Sequence, residues 1–453
     1  MTNGLGLASL EERAKLGDID TVVAAFPDHL GRLVGKRFAA RFFLDEVVRH
    51  GFHACDYLLT VDMEMEPLPG FELASWDKGY GDFHATADLA TLRIVPWVPR
   101  TALVLCDLFG ADGRPVEEAP RSILKRQIER LRNAGFTAMM GAELEFYLFK
   151  ESYDVARAKN YHGLTPSAAY REDYHVLQTT RDEPVIGAIR AGLEAAGVPI
   201  ECSKGEWGCG QHEINTRYAP ALEMADRVTI YKNAVKEIAG AAGRAATFMA
   251  KVDEKEAGSS FHLHASLWDL SARENAFSRD GVESATMRHA LAGLMAAARP
   301  FALLYAPRVN SFKRYQAASW APTRVAWAHD NRTCGFRVVG SGASCRIENR
   351  LPGADANPYV AMAAAIAAML DGIERRIEPV AEFRGNAYES GDAVSRVPAS
   401  LREAVGEFAQ CEVAVRAFGE RVVNYLVTHA RHEQAAFDRA VTCWERVRDF
   451  ERI

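Results

Sequence analysis

No two of the eight cysteines, scattered from Cys55 to Cys443, stand in a Cys-x-x-Cys pair. A chain of 453 residues that is 48% hydrophobic buries a core large enough to need no disulfide staples, so reduced thiols are expected. Cys209, which lies inside a chemically rich segment, reads as a small packing residue rather than a zinc ligand or nucleophile. No sign of charge dominates. A net charge of −6 leaves no basic face for nucleic acid or for an anionic membrane surface. No apolar run is long enough to cross a bilayer: Tyr359 to Leu370 stops at Asp371 and reads as a buried helix. Met1 to Ala8 has neither a basic region nor a long apolar stretch, so secretion is not expected and a cytoplasmic location is. There is no internal repeat and no low-complexity tract.

What is present divides in two. Thr21 to Lys36 reads as two strands around a turn at Pro27 to Gly31, and Leu92–Trp97 and Thr101–Asp107 are further strands. The loop from Gly110 to Pro120 marks a boundary, giving a small strand-rich unit over 1–112 and a larger one over 113–453. Beyond it helices and strands alternate. Pro120 opens a helix with Leu124, Ile128 and Leu131 on one face, closed by Gly135. Asp182 is placed as the cap of another, which buries Val185, Ile189 and Leu193 and ends at Gly197. Asn357 and Pro358 start an alanine-rich helix running towards Ile373.

Four segments carry the chemistry. Side chains alternate along a strand, so Glu143 and Glu145 share a face, as do His262, His264 and Ser266, and as do Arg346, Glu348 and Arg350. Glu206 and Glu213 flank a turn in which Gly208 and Gly210 let backbone approach a ligand, with Gln211 between. Taken singly, the paired glutamates suit a solvent-facing edge strand, the glycines an ordinary turn, and each arginine a surface position. Together they suit something else. Carboxylates gathered on the sheltered face of a sheet repel one another unless positive charge sits between them, and divalent cations with a polyphosphate supply it. Arg314, Arg332, Arg337, Arg346 and Arg350, spaced among apolar residues, add donors suited to carboxylate and phosphate. The chain reads as a metal-dependent enzyme that uses ATP.

These segments, in order, resemble the glutamine synthetase family: Gly141-Ala-Glu143-Leu-Glu145-Phe, Gly210-Gln211-His-Glu213, Gly258-Ser-Ser-Phe-His262-Leu-His264, Asn310-Ser-Phe-Lys-Arg314, Asn331-Arg332 with Arg337, Arg346-Ile-Glu348-Asn-Arg350-Leu-Pro352, and Asn357-Pro358-Tyr359. The resemblance implies an α+β fold, with a small β-grasp-like N-terminal domain and a larger α/β catalytic domain built on a mostly antiparallel curved sheet. It implies two to three Mg²⁺ or Mn²⁺ per site. Glu145, Glu206 and Glu213 would hold one ion, and Glu143, His262 and Glu348 the second. It places Arg314, Arg350 and the Gly258 backbone on glutamate, and Arg332 and Arg337 on the transferred phosphoryl group. Tyr218, His264, Ser266 and Arg346 fall on the nucleotide. It further implies a homo-oligomeric ring, commonly two stacked hexamers, with sites shared between neighbours.

Departures from the family pattern bear on the acceptor. Members that use ammonia carry a glutamate six residues after the position of Arg314; here that position is Trp320, which has no negative charge to attract ammonium. The N-terminal Phe-Asp-Gly-Ser-Ser-Ile signature is missing, and Asp56, Asp62 and Glu64 stand in its region with no way to choose among them. Ala257 replaces an asparagine before the Gly258 loop. This pattern resembles the γ-glutamyl-amide ligases of the family, which join glutamate to polyamines, ethanolamine or alkylamines. Val61–Pro67 and Gly79–Phe83 look closest to the ethanolamine and polyamine branches. Tyr388, in Asn386-Ala-Tyr388-Glu-Ser, departs from the motif adenylylated in some relatives, so that control is not expected. The rival readings are a glutamine synthetase proper, using ammonia, and a non-catalytic relative kept for a structural or regulatory role.

Overall fold

The computed structural model describes residues 5–453; Met1 to Gly4, part of the segment behind the expectation against secretion, lie outside them. Two sheets organise the chain. The first takes β1 (Thr21–Pro27), β2 (Leu33–Ala39), β3 (Phe52–Cys55), β4 (Asp82–Ile94) and β5 (Thr101–Phe109) in the order β2-β1-β5-β4-β3. Its β1 and β2 form the antiparallel hairpin expected around Pro27 to Gly31, while β1 and β5 run parallel. The strand foreseen at Leu92–Trp97 is the end of a much longer β4, which resumes pairing after an irregularity between Asp88 and Arg93 and stops at Ile94. Alternate inward residues, Val22, Ala24 and Phe26 among them, gather in a hydrophobic core of their own.

The second sheet carries β6 (Phe136–Phe149), β7 (Ile200–Gly205), β8 (Gln211–Pro220), β9 (Ala245–Thr247) and β10 (Phe261–Asp269). After the short pair β11 (Ser278–Arg279) and β12 (Val282–Glu283) it is completed by β13 (Trp327–His329), β14 (Phe336–Val339) and β15 (Arg346–Asn349). The order is β13-β14-β15-β10-β6-β8-β7, with β9 beside β6, and every pairing except β13 with β14 is antiparallel. One face is covered by the helices Pro120–Asn133, Ala221–Ala241 and Pro358–Arg375, whose apolar sides join Leu144, Phe146, Ile214 and Leu263 in the large core. The other face holds the charges.

Helix boundaries follow from capping where the cap is local. Asn357 accepts the Tyr359 amide with its side chain, and Pro358 fills the first turn, where a missing N–H is harmless. Asp182 is a correction. The helix there is Val176–Ala195, preceded by His175, so Asp182 lies inside it with Pro184 two residues on. Its carboxylate points inward, to Ser167 and His212, instead of capping. Tertiary partners have claimed a residue whose short side chain suits a helix end equally well. Between the sheets, Arg121 is buried against three carboxylates, Asp88 of β4, Asp107 of β5 and Asp226, and Tyr359 also donates to Asp226. No helix of the described residues is long and apolar enough to cross a membrane, and all eight cysteines are free thiols.

Candidate active site

Strand register aligns the charged groups. Across β10 and β6, His262 stands opposite Glu143; across β6 and β8, Glu145 stands opposite Glu213; across β10 and β15, His264 stands opposite Glu348; across β15 and β14, Glu348 stands opposite Arg337. Opposed residues share a face, so the expected acids and histidines lie together on the side of the sheet away from the helices.

Three carboxylates, Glu145, Glu206 and Glu213, bring ligand oxygens within 4.8 Å of one another. Lys204, opposite Glu213 on β7, inserts its ammonium among them, against Glu206 and 3.8 Å from Glu213. Even so, burial followed by the charge of Glu206 raises the Glu145 carboxyl to about 8 and pushes Glu213 well up. Glu145 is held by the Ser260 amide at 2.8 Å and by Gln211 Nε2 at 3.0 Å. Gln211 also donates to the Gly258 carbonyl.

A second cluster surrounds Glu143. His262 Nδ1 lies 3.2 Å from Glu143 and 3.8 Å from Glu348, and His264 Nε2 lies 3.0 Å from Glu143. Burial, then the charge of Arg350, drops His262 to about 4, so its ring is neutral near pH 7. With Nδ1 engaged by Glu143, its Nε2 is buried without a partner, a free lone pair. Burial opposes ionisation of Glu348, but Arg350 first, then the neighbouring histidines and Arg337, hold it down at about 2. Both Glu348 oxygens are taken, by Arg350 at 2.6 Å and by Arg337. Two largely buried carboxylate sets and an unpartnered imidazole nitrogen fit hard divalent ions, with Lys204 standing where one ion's charge would lie.

The arginines separate by depth. Arg314 is fully buried, donating to Ser260 Oγ at 3.2 Å and to the carbonyls of Arg350 and Leu351. A Cβ on Gly258 would come 2.3 Å from Arg314 Cγ, so only glycine admits that stem. Arg350 reaches from Glu348 to the Trp320 carbonyl at 3.1 Å. Arg337 joins Glu348 to Asp330. Arg332 stands apart, exposed on the loop before β14.

A cleft of about 440 Å³ opens beside Glu143, lined by Tyr218, His264, Ser266 and Arg346. Arg346 Nε donates to His264 Nδ1 at 3.2 Å, and the Tyr218 ring is largely exposed to the cleft. At the other end, Trp320 has φ +64° and meets Trp207 edge-on with ring centres 5.6 Å apart, while Arg171 lies 4.4 Å over Trp207. Tyr388 donates to the Ala321 carbonyl beside Trp320. Asp62 and Asp56 are engaged by amides of their own loop, those of Glu64 and Glu66 and that of Gly81. Cys209 donates its amide to Glu256.

Lys204, Trp207 and Arg171 were missed by sequence reasoning. Lys204 was accessible to it, standing on β7 two residues before Glu206. The other two depend on loop packing that no periodicity reports.

Known proteins resemble this chain over nearly its whole length. The family described as glutamine synthetase, catalytic domain, matches residues 117–448. The chain is 52% identical over 452 residues to the gamma-glutamylethanolamide synthetase of Streptomyces coelicolor, covering 100% of this chain and 97% of that one. It is 36% identical over 440 residues to a glutamate–isopropylamine ligase of a Pseudomonas species, covering 96% of each. A solved GmaS–ADP complex superposes with a TM-score of 0.85 at 28% identity, over 100% of both chains.

Proposed function

This chain belongs to the glutamine synthetase family, and on that premise we propose that it joins the γ-carboxylate of L-glutamate to a small amine, ethanolamine first among them, at the expense of ATP. It is a glutamate–amine ligase. The observation that carries the acceptor reading is Trp320: where an ammonia-using member would carry a glutamate, an indole packs against Trp207. Two aromatic rings make a wall for an alkyl chain and offer no carboxylate to ammonium.

In this reading Glu145, Glu206 and Glu213 would hold one Mg²⁺ or Mn²⁺, and Glu143, His262 and Glu348 a second. Bound ions would supply the positive charge that phosphoryl oxygens need as charge spreads over them. The nucleotide takes the cleft of Tyr218, His264, Ser266 and Arg346. Arg314 and Arg350, with the Gly258 backbone, bind glutamate, which turns its γ-carboxylate towards the γ-phosphorus. Arg337 sits beside Glu348 at the cluster, and Arg332 would reach in from its exposed loop; both neutralise the phosphoryl group in flight. The amine then attacks γ-glutamyl phosphate from the Trp320 side and expels phosphate. In a ring, an acidic contact to the amine would come from Asp56, Asp62 or Glu64 in the N-terminal unit of a neighbour. The boundary between the 1–112 and 113–453 units, a dodecameric ring and a cytoplasmic location belong to the same reading.

A phosphate-release assay with ATP, Mg²⁺, glutamate and a panel of amines tests it. Ethanolamine should support turnover at concentrations where ammonia does not. Ammonia matching ethanolamine would restore the glutamine synthetase reading, and no turnover with any amine the non-catalytic one.

A further inference from the structure

Glu213 and His212 are neighbours on β8, so they face opposite sides of the sheet. Glu213 faces the charged site. His212 faces the helices, where it meets two carboxylates: its Nε2 lies 3.0 Å from Asp182 Oδ2 and 3.8 Å from Glu172 Oε2. All three side chains are buried, with exposures of 1% for His212, 6% for Asp182 and 0% for Glu172. Asp182 has a further partner in the Ser167 hydroxyl. Glu172 has none. Both of its oxygens are buried without a hydrogen bond, although the carboxylate is aimed at the histidine.

An imidazolium explains only half of this arrangement. Its single Nε2–H can satisfy one acceptor, and the closer Asp182 takes it, leaving a buried carboxylate that no donor reaches. A cation shared by all three groups gives the Glu172 carboxylate the partner it lacks. Ligands around a tetrahedral ion with bonds of about 2.0–2.1 Å stand about 3.3 Å apart, and the two spacings seen here, 3.0 and 3.8 Å, bracket that value. The chain also makes room for these groups. A Cβ on Gly205 would meet Glu172 Cβ at 2.5 Å, and a Cβ on Gly210 would come 3.0 Å from Ser167 Oγ.

We propose that His212, Asp182 and Glu172, whose ligand atoms lie within 4.8 Å of one another, form a divalent-metal site distinct from the catalytic cluster, suited to Zn²⁺. One imidazole nitrogen and two carboxylates in a buried setting favour Zn²⁺ over Mg²⁺, which keeps water and an octahedral shell of oxygens. The ion's role is structural. It ties the helix Val176–Ala195 and the 167–172 segment to β8, one residue before Glu213, and so fixes Arg171 over Trp207 at the acceptor end.

The test measures metal content of the full-length protein, stripped with chelator, loaded with Zn²⁺ alone and then challenged with excess Mg²⁺. Wild type and Glu348→Ala should each retain one zinc per chain, while Glu172→Gln and His212→Asn retain none. Equal retention by wild type and Glu172→Gln, or no retention by wild type, overturns the site. Should both variants fail to fold, Co²⁺ in the wild type decides: an intense visible band of tetrahedral Co²⁺ that survives Mg²⁺ supports the site, and its absence rejects it. Neither readout involves turnover, so the ligase reading stands or falls separately.

Discussion

Glu143, Glu145, Glu213, His262 and Glu348 project from paired strands of one sheet, whereas Trp207, Trp320 and Arg332 project from the connections between strands. The first group is held by register. Each side chain's position is set by the ladder on both sides, and by donors such as the Ser260 amide on Glu145. In the second group no strand ladder fixes the two indoles: Trp320 and Trp207 meet edge-on, with a backbone turned to positive φ at Trp320 and a hydrogen bond from Arg350 to its carbonyl. The difference suits two tasks. Phosphoryl transfer needs fixed charges at fixed places, because preorganised groups need no rearrangement as charge develops. Acceptor choice needs a wall that can change its chemistry without disturbing the scaffold, and loops supply that.

The largest expected effect breaks the strand-built end. Glu348→Ala removes a proposed metal ligand that is fully buried between Arg337 and Arg350. Amide formation should fall at least about a thousandfold, or about 4 kcal/mol in the barrier. The two arginines lose their partner, so Glu348→Gln, which keeps the shape, is the companion variant. Steady-state turnover with glutamate, ATP and ethanolamine measures both, with unfolding midpoints as the control. Turnover within tenfold of wild type in a folded variant removes Glu348 from the metal set.

A change at the loop-built end should redirect the enzyme instead of silencing it. Trp320→Glu places a carboxylate where ammonia-using relatives carry one, beside Trp207 and at a half-exposed position, so folding should tolerate it. The ratio of kcat/KM for ammonia to that for ethanolamine should rise about fiftyfold, or about 2.3 kcal/mol. The KM for ATP should not move. An unchanged ratio would show that the acceptor is chosen elsewhere.

The same contrast decides what the sequence could reveal. Alternation in Glu143-Leu-Glu145 and His262-Leu-His264 announces a strand face, and the observed register places those faces together. The β1–β2 hairpin and the helix after Asn357 were legible for the same reason, each being specified by residues close in sequence. Asp182 misled because a short carboxylate suits a helix cap and a buried histidine equally, and only the fold shows that His212 has claimed it. Trp207 and Arg171, 36 residues apart in sequence, meet only in three dimensions.

The smallest effect concerns protons. At the strand-built end Glu145 is raised to about 8 by burial and then by Glu206, while an unfolded glutamate titrates in the ordinary carboxylate range. Between about pH 5 and 8 the metal-free fold therefore holds a proton that the unfolded chain has released. Stability must then fall as pH rises through that window, by at most about 1.4 kcal/mol per unit for each proton held. Metal binding requires the ionised carboxylate, so it expels the proton, and Mg²⁺ affinity should rise with pH across the same window by up to about tenfold per unit for each proton expelled. Titration calorimetry in two buffers of different ionisation enthalpy reads the proton release directly. Unfolding midpoints of chelated wild type and Glu145→Gln, compared at several pH values, remove the contribution of every other titrating group. Trp320 and Trp207 carry no titratable proton, so Trp320→Leu should leave both slopes unchanged. If Trp320→Leu flattens them while Glu145→Gln does not, the acidic cluster is not where the protons are held, and the division of labour between strands and loops fails.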